Sequence, residues 1–295
     1  MDAPQAARPR PVAAPAPRAL TRRIRGFAVG AGLYTLLLVL AASILAPLLW
    51  MVLSAFKNNA ELFGSAWGLP SQLRWQNWID AWNLGVVNYL FNSSVVTGAS
   101  IAGVVVVSAW AAYALVRLRI PLGTPITLFI LGGMMLAPAV ALIPLFKLME
   151  ALGLYNTLFA LIILYVAYRI PFTTFLIRAY MVTMSREIED AAYVDGASRW
   201  QIFWHVVFPL SRPILISAAL LQALFAWNEF PFALVMINDS DLKTLPVGLL
   251  DMYSRLLTNY PVMFAGMTIA SIPMIVLFMI GQRQFIRGLA EGFGK

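Results

Sequence analysis

Residues 178–213 read RAYMVTMSREIEDAAYVDGASRWQIFWHVVFPLSRP. Their reading as helix, glycine elbow, helix decides what the apolar sequence on either side must be. Ser185 can cap a helix that begins at Arg186. Glu187, Glu189 and Asp190 then fall in its first turns, where the helix dipole favours negative charge. Gly196 supplies a left-handed stop. Ser198 followed by Gln201 forms a capping box for a second helix, which Pro209 and Pro213 end. Trp200, Phe203, Trp204 and Val207 stand at i, i+3, i+4 and i+7, so this second helix has one apolar face for packing on its neighbours. The first helix presents acids together with Ala191 and Ala192, whose small side chains let another surface approach closely.

Outward from this segment the chain is apolar. Of the 295 residues, 61% are hydrophobic and 12% charged, against roughly 45–50% and about 25% in soluble domains. That excess exceeds what one buried core absorbs, so part of it faces lipid. A crossing needs about 20 apolar residues, and six stretches qualify, near 27–53, 92–116, 125–147, 157–178, 213–236 and 262–282. The expected fold is an all-α membrane protein with six transmembrane helices. A tail over 1–26, rich in alanine, proline and arginine, is expected to be disordered, the six-helix domain covers 27–282, and 283–295 form a second tail. Prolines at 47, 138, 144, 171, 231 and 273 lie inside spans, where neighbouring helices and waters can satisfy the freed carbonyls. Trp75, Trp78 and Trp82 mark one face of a short helix at a membrane interface.

Basic residues set the orientation. Fifteen of the 21 Lys and Arg fall on the segments that include the N-terminal tail and the 178–212 loop. Five (Lys57, Arg74, Lys147, Lys243, Arg255) fall on the opposite segments, and Arg169 lies within a span. Both termini and the 178–212 loop are therefore expected to be cytoplasmic. The net charge of +8 belongs to this orientation and not to nucleic-acid binding. A connector resting on lipid would carry basic residues on its polar face. The helix over Glu187–Asp195 is acidic, which favours a soluble protein partner instead.

Several chemistries are poorly supported. There is no cysteine and one histidine, His205, which leaves little for thiolate sites, multi-histidine metal sites or a serine–histidine triad. No phosphate loop of the GxxxxGK[ST] type occurs, so ATP hydrolysis is not expected of this chain.

Asp190-Ala191-Ala192, three residues, Gly196, nine residues, then Val206-Val207-Phe208-Pro209 resembles the EAA loop of binding-protein-dependent ABC importer permeases, whose pattern is Glu-Ala-Ala-x3-Gly-x9-Ile-x-Leu-Pro. Asp, Val and Phe replace Glu, Ile and Leu, and the spacing is intact. The family often has proline where Ser185 stands. The order of six spans, Trp227-Asn228-Glu229-Phe230, Leu245-Pro246-Val247-Gly248 and the ending QRQFIRGLAEGFGK are similar to the MalG-type carbohydrate branch. The resemblance covers the chain from about residue 27 and implies the MetI-like permease fold. It implies an inner-membrane, non-catalytic permease subunit of an ATP-driven sugar importer. The partners implied are a second permease subunit, two cytoplasmic ATPases that carry ATP-Mg, and an extracytoplasmic solute-binding protein, within membrane lipid; no cofactor is implied for the chain itself. Glu187, Glu189, Asp190, Ala191, Ala192, Asp195 and Gly196 would form the coupling helix, its acids facing a cleft of the ATPase and Gly196 making the bend. Residues 288–295 would be a tail able to reach the ATPase dimer.

Two charges sit at mid-span, Arg169 and Glu229, where an ionised group costs roughly 2.5–3.5 kcal/mol on insertion scales. Glu229 with Gln222 and Asn228 is expected to line a pathway for sugar hydroxyls. The alternatives are an inter-subunit salt bridge or a position nearer the membrane surface. Two other classes remain open on the residues alone. An ion-coupled secondary transporter would need more intramembrane acids, often in two related halves. A membrane enzyme or scaffold would need clustered reactive groups only if it were catalytic.

Overall fold

The computed structural model describes the backbone over residues 18–118, 120–255 and 259–293, and side chains over 30–118, 120–253 and 259–283. The first seventeen residues of the expected tail lie outside these. Helix α1 (Arg18–Ser54) begins inside the segment expected to be a tail and contains Pro47. Its body through Val52 forms one compact unit, and Leu53–Lys295 form the other.

Within the second unit, α2 (Asn59–Gly64) precedes α3 (Gln76–Arg117). The tryptophan-rich helix expected at the interface is the first part of α3. It joins the apolar run through a wide turn at Trp82–Val86 in which Gly85 sits at φ 114, a conformation that glycine adopts without steric cost. Next come α4 (Gly123–Gly133) and α5 (Pro138–Ala151), then α6 (Leu158–Thr183), α7 (Glu187–Val194) and α8 (Arg199–Leu210). The chain ends with α9 (Arg212–Asn228), α10 (Pro231–Met236), α11 (Leu245–Arg255) and α12 (Tyr260–Phe293). No strand occurs among the described residues.

Four helical stretches are long and apolar enough to cross a membrane on their own: Gly30–Ser54, Gln76–Arg117, Leu158–Thr183 and Tyr260–Arg283. The count reaches six if two bent pairs each make one crossing, α4 with α5 (97°) and α8 with α9 (75°). The expected third span is thus a bent pair. Pro138 opens α5 at its first helical position and holds Ala137 extended (φ −71, ψ 134), since the residue before proline avoids helical geometry. The fifth span, expected to continue to Met236, breaks at Glu229, which is extended (φ −68, ψ 127), and Phe230, and Pro231 opens α10 at its first helical position. At the chain's end α12 continues as helix to Phe293, through most of the segment expected to be a tail. The side chains of 284–295 lie outside the described residues.

Lipid supplies no hydrophobic drive for helix to meet helix, so close backbone approach decides the packing. α3 and α6 run in the same direction: a Cβ on Gly103 would lie 2.8 Å from Val166 Cγ2, and Ser108 Oγ donates to the Ile170 carbonyl at 3.5 Å. α9 lies between two buried clusters. One surrounds Leu161, Tyr165, Phe232 and Met236; the other surrounds Ile177, Met181, Ile202, Phe203 and Ile214. The α9 stripe Leu215, Ala218, Gln222, Ala226 links them.

At the end away from α7, polar side chains staple loops to helices. Asn156, at φ 61, accepts from the Asn238 and Asp239 amides at 2.9 Å each. Asn92 Nδ2 donates to the Asp241 and Lys243 carbonyls, and Ser93 Oγ accepts from Leu245 N at 2.8 Å. Gly248 must be glycine there, because any Cβ would lie 2.3 Å from the Tyr89 ring. Lys57 is buried and donates to the Ser65 and Ala66 carbonyls.

Candidate functional site

The acidic helix forms one residue later than expected. Its N-cap is Arg186, and Ser185 Oγ accepts from Glu187 N at 3.2 Å. Glu187, Glu189 and Asp190 occupy the first turn, where their charge meets the positive end of the dipole. At the other end Ala197 N donates to the Ala192 carbonyl and Gly196 N to the Tyr193 carbonyl, each at 3.0 Å. That is the paired bonding of a Schellman stop, and it requires the φ of +83 found at Gly196. Ser198 and Gln201 then make the expected reciprocal cap, Gln201 N to Ser198 Oγ at 3.3 Å and Ser198 N to Gln201 Oε1 at 2.8 Å.

The second helix departs from its expected face. A wide turn at Phe203–Val207 shifts the register. Ile202, Phe203 and Val207 are buried, whereas Trp200 is exposed. Straight-helix spacing places Trp200 inside and overlooks Ile202; one extra residue per turn is invisible to a 3.6-residue period.

A buried ion pair holds α7 against the bundle. Arg117 Nε, at the end of α3, lies 2.7 Å from Glu189 Oε1, with the two side chains 6% and 7% exposed. Arg117 Nη2 also donates to the Met184 carbonyl at 3.1 Å, and Arg186 Nη2 donates to the Val116 carbonyl at 3.3 Å. Ala192 packs on the cluster around Met181 and Ile202. Glu189 therefore points inward, contrary to the expectation that it shares an outward face with the other acids. Glu187, Asp190, Ala191, Asp195 and Gly196 are exposed, and among the described residues Glu187, Asp190 and Asp195 have no ion pair. Ile188 and Val194 are exposed beside them, Val194 at 87%; neither stands out in the sequence pattern, because a single exposed aliphatic residue carries no spacing signal. A cleft of about 440 Å³ behind the elbow is lined by Asp195, Gly196, Ala197, Gln201, Ile202, His205 and Val206.

The expected pathway trio does not converge. Glu229 is buried, and its carboxylate is fully engaged. Oε1 accepts from Phe232 N at 2.8 Å, and Oε2 accepts from Ala233 N at 3.1 Å and from the Tyr165 hydroxyl at 2.6 Å. It caps α10, the helix that Pro231 begins. Asn228 is exposed and donates to the Leu224 carbonyl of its own helix at 2.8 Å. Gln222 is fully buried, and neither side-chain polar atom has a partner. Arg169 lies over the Phe172 and Phe225 rings, 4.6 and 5.0 Å from their centroids.

Comparison with known proteins fits this architecture. Residues 104–291 match the family described as "Binding-protein-dependent transport system inner membrane component". A Bacillus subtilis (strain 168) protein, the probable ABC transporter permease protein YurM, is 45% identical over 84% of this chain and 83% of its own. The diacetylchitobiose uptake system permease protein NgcG of Streptomyces coelicolor is 29% identical over 88% and 87%. A solved bacterial ABC transporter involved in the import of the acidic polysaccharide alginate superposes with a TM-score of 0.76. It is 25% identical and covers 90% of this chain and 98% of that one.

Proposed function

The chain belongs to the binding-protein-dependent transport system inner membrane components, and we propose that it forms one half of the translocation pathway of an ATP-driven carbohydrate importer. The observation that carries the reading is α7 itself, a short helix with Glu187, Asp190, Asp195 and Val194 turned outward beyond the bundle. A cytoplasmic ATPase subunit takes this face in its cleft, and Gly196 fixes the angle at which the face is offered. Lys and Arg bias puts that end and both termini inside. The ATPase supplies the chemistry of ATP hydrolysis, with ATP-Mg bound on it. This chain supplies a lever. When two ATPases close, α7 moves with them, and the Arg117–Glu189 pair carries the movement into α3, which is packed along α6.

A second permease subunit completes the pathway, and an extracytoplasmic solute-binding protein delivers the sugar. The carbohydrate class is supported by relatives named for diacetylchitobiose, for melibiose, raffinose and stachyose, and for arabinooligosaccharides.

The test is co-expression with the candidate ATPase, purification in detergent, and uptake in proteoliposomes. Specific co-purification that Gly196→Pro or Asp190→Lys abolishes supports the reading. Uptake that continues with no ATPase present overturns it.

A further inference from the structure

Trp200 and Trp110 are left out of both the core and the proposed lever. Their rings meet edge to face at 4.7 Å between centroids, yet both remain exposed. They form two walls of a groove of about 230 Å³, closed by Tyr113, Ala114 and Leu118 from the end of α3 and by Phe203 of α8, with Arg199 at its lip. The depth of the groove in a bilayer follows from α3. Trp110 precedes Arg117, the basic residue that ends the helix, by seven residues, roughly 10 Å of rise. Tryptophan gathers at this level of a membrane, where the ring is half in hydrocarbon and half among headgroups. The groove is smaller than the roughly 300–1,000 Å³ of drug-sized sites, and it suits a length of one acyl chain.

The charge at the lip selects the chain's headgroup. Arg199 is exposed, and among the described residues its guanidinium has no ion pair. The buried acid of α7, Glu189, is already paired with Arg117. A guanidinium matches a phosphate with two parallel hydrogen bonds, and basic pockets between membrane helices bind anionic headgroups.

We infer that the groove between the end of α3 and the start of α8 is a site for an anionic phospholipid, its acyl chain lying against the corner that the Trp110 and Trp200 rings make and its phosphate on Arg199. The site joins α3 to α8 from the lipid side, independently of Arg117 and Glu189. It needs only that the chain is embedded in a bilayer, so it stands or falls apart from the proposed coupling.

The test uses the purified full transporter in detergent, loaded with phosphatidylglycerol or phosphatidylcholine, with bound lipid counted by native mass spectrometry. Wild type should retain phosphatidylglycerol in preference to phosphatidylcholine. Arg199→Gln should lower phosphatidylglycerol retention at least tenfold, while Arg212→Gln, an exposed arginine elsewhere, should not. Trp200→Ala should lower retention of both lipids. Because that variant removes an aromatic contact, the surface variant Arg199→Gln and its melting midpoint keep the test valid if Trp200→Ala misfolds. Equal retention by Arg199→Gln, or no headgroup preference in wild type, overturns the site. A photo-crosslinker at residue 200 that captures a partner permease subunit in place of lipid overturns it too.

Discussion

Removing one member of the Arg117–Glu189 pair should release α7 from the bundle. The two side chains are 6% and 7% exposed and 2.7 Å apart, so Glu189→Gln leaves the Arg117 charge buried without its counter-ion. Breaking a buried pair from one side costs about 3–5 kcal/mol. The helix that bears the loss has only eight residues, and its other attachments include Ala192 on the core, the Arg186 bond to the Val116 carbonyl and a side-chain hydrogen bond between Tyr193 and Tyr113 of α3. A loss of that size lowers the docking equilibrium roughly 140- to 3,700-fold at about 1.4 kcal/mol per decade. The chain has no cysteine, so a single cysteine at Val194, 87% exposed, takes a spin label cleanly. In the V194C background Glu189→Gln should narrow the spectrum to that of a mobile helix, and ATP-driven uptake should fall with it. The exchanged pair Arg117→Glu with Glu189→Arg should restore part of both. An unchanged spectrum with full uptake in the single variant would refute the assignment of the pair as the anchor of α7.

Other outcomes follow from single positions. Gly196 sits at φ +83 with open space where a Cβ would stand, nothing lying within 4 Å. Gly196→Ala therefore carries only the left-handed backbone cost of about 1–2 kcal/mol. Uptake should rank Gly, then Asn, then Ala, and a reversed Asn–Ala order would count against the elbow. Glu229→Ala orphans two amides and the Tyr165 hydroxyl, at about 1–3 kcal/mol each. It should lower the melting midpoint in detergent well below that of Glu229→Gln. Gln222→Leu removes two buried atoms that have no partner and should leave the midpoint unchanged or raised; a clear drop would mean the amide is satisfied. The Ser71 hydroxyl and then the Asn58 backbone amide, each donating to it, hold the Glu61 carboxyl below its ordinary range. A depressed folded pKa gives stability that is present above the unfolded value and lost as pH falls through the folded one. Hydrogen exchange over 58–71 should rise on acidification below about pH 4 and should lose that dependence in Glu61→Gln.

What could be read in advance was whatever the chain decides within a few residues. The Ser198–Gln201 cap and the Gly196 stop are contacts over one helical turn, and both form as their spacing dictates. The breaks were harder. Pro47, Pro171 and Pro273 lie inside continuous helices, while Pro138 and Pro231 begin new ones, and composition alone does not separate the two groups. One clue existed at Glu229. An acid two residues before a proline can serve as a cap for the helix that the proline opens, and the carboxylate does take the Phe232 and Ala233 amides.

For Glu189 the clue was weaker, because its partner Arg117 is 72 residues away. It lay in the three-residue step from Glu189 to Ala192, which places both on the side of α7 that meets the core. The acids of α7 therefore divide by what a substitution would change. Reversing Asp190 alters an exposed face and should weaken a partner while leaving the melting midpoint where it was. Reversing Glu189 sets two positive charges together out of water and should lower the midpoint even in the chain alone. One loop of similar-looking acids thus contains an anchor and a contact surface, and the burial of a single carboxylate separates them.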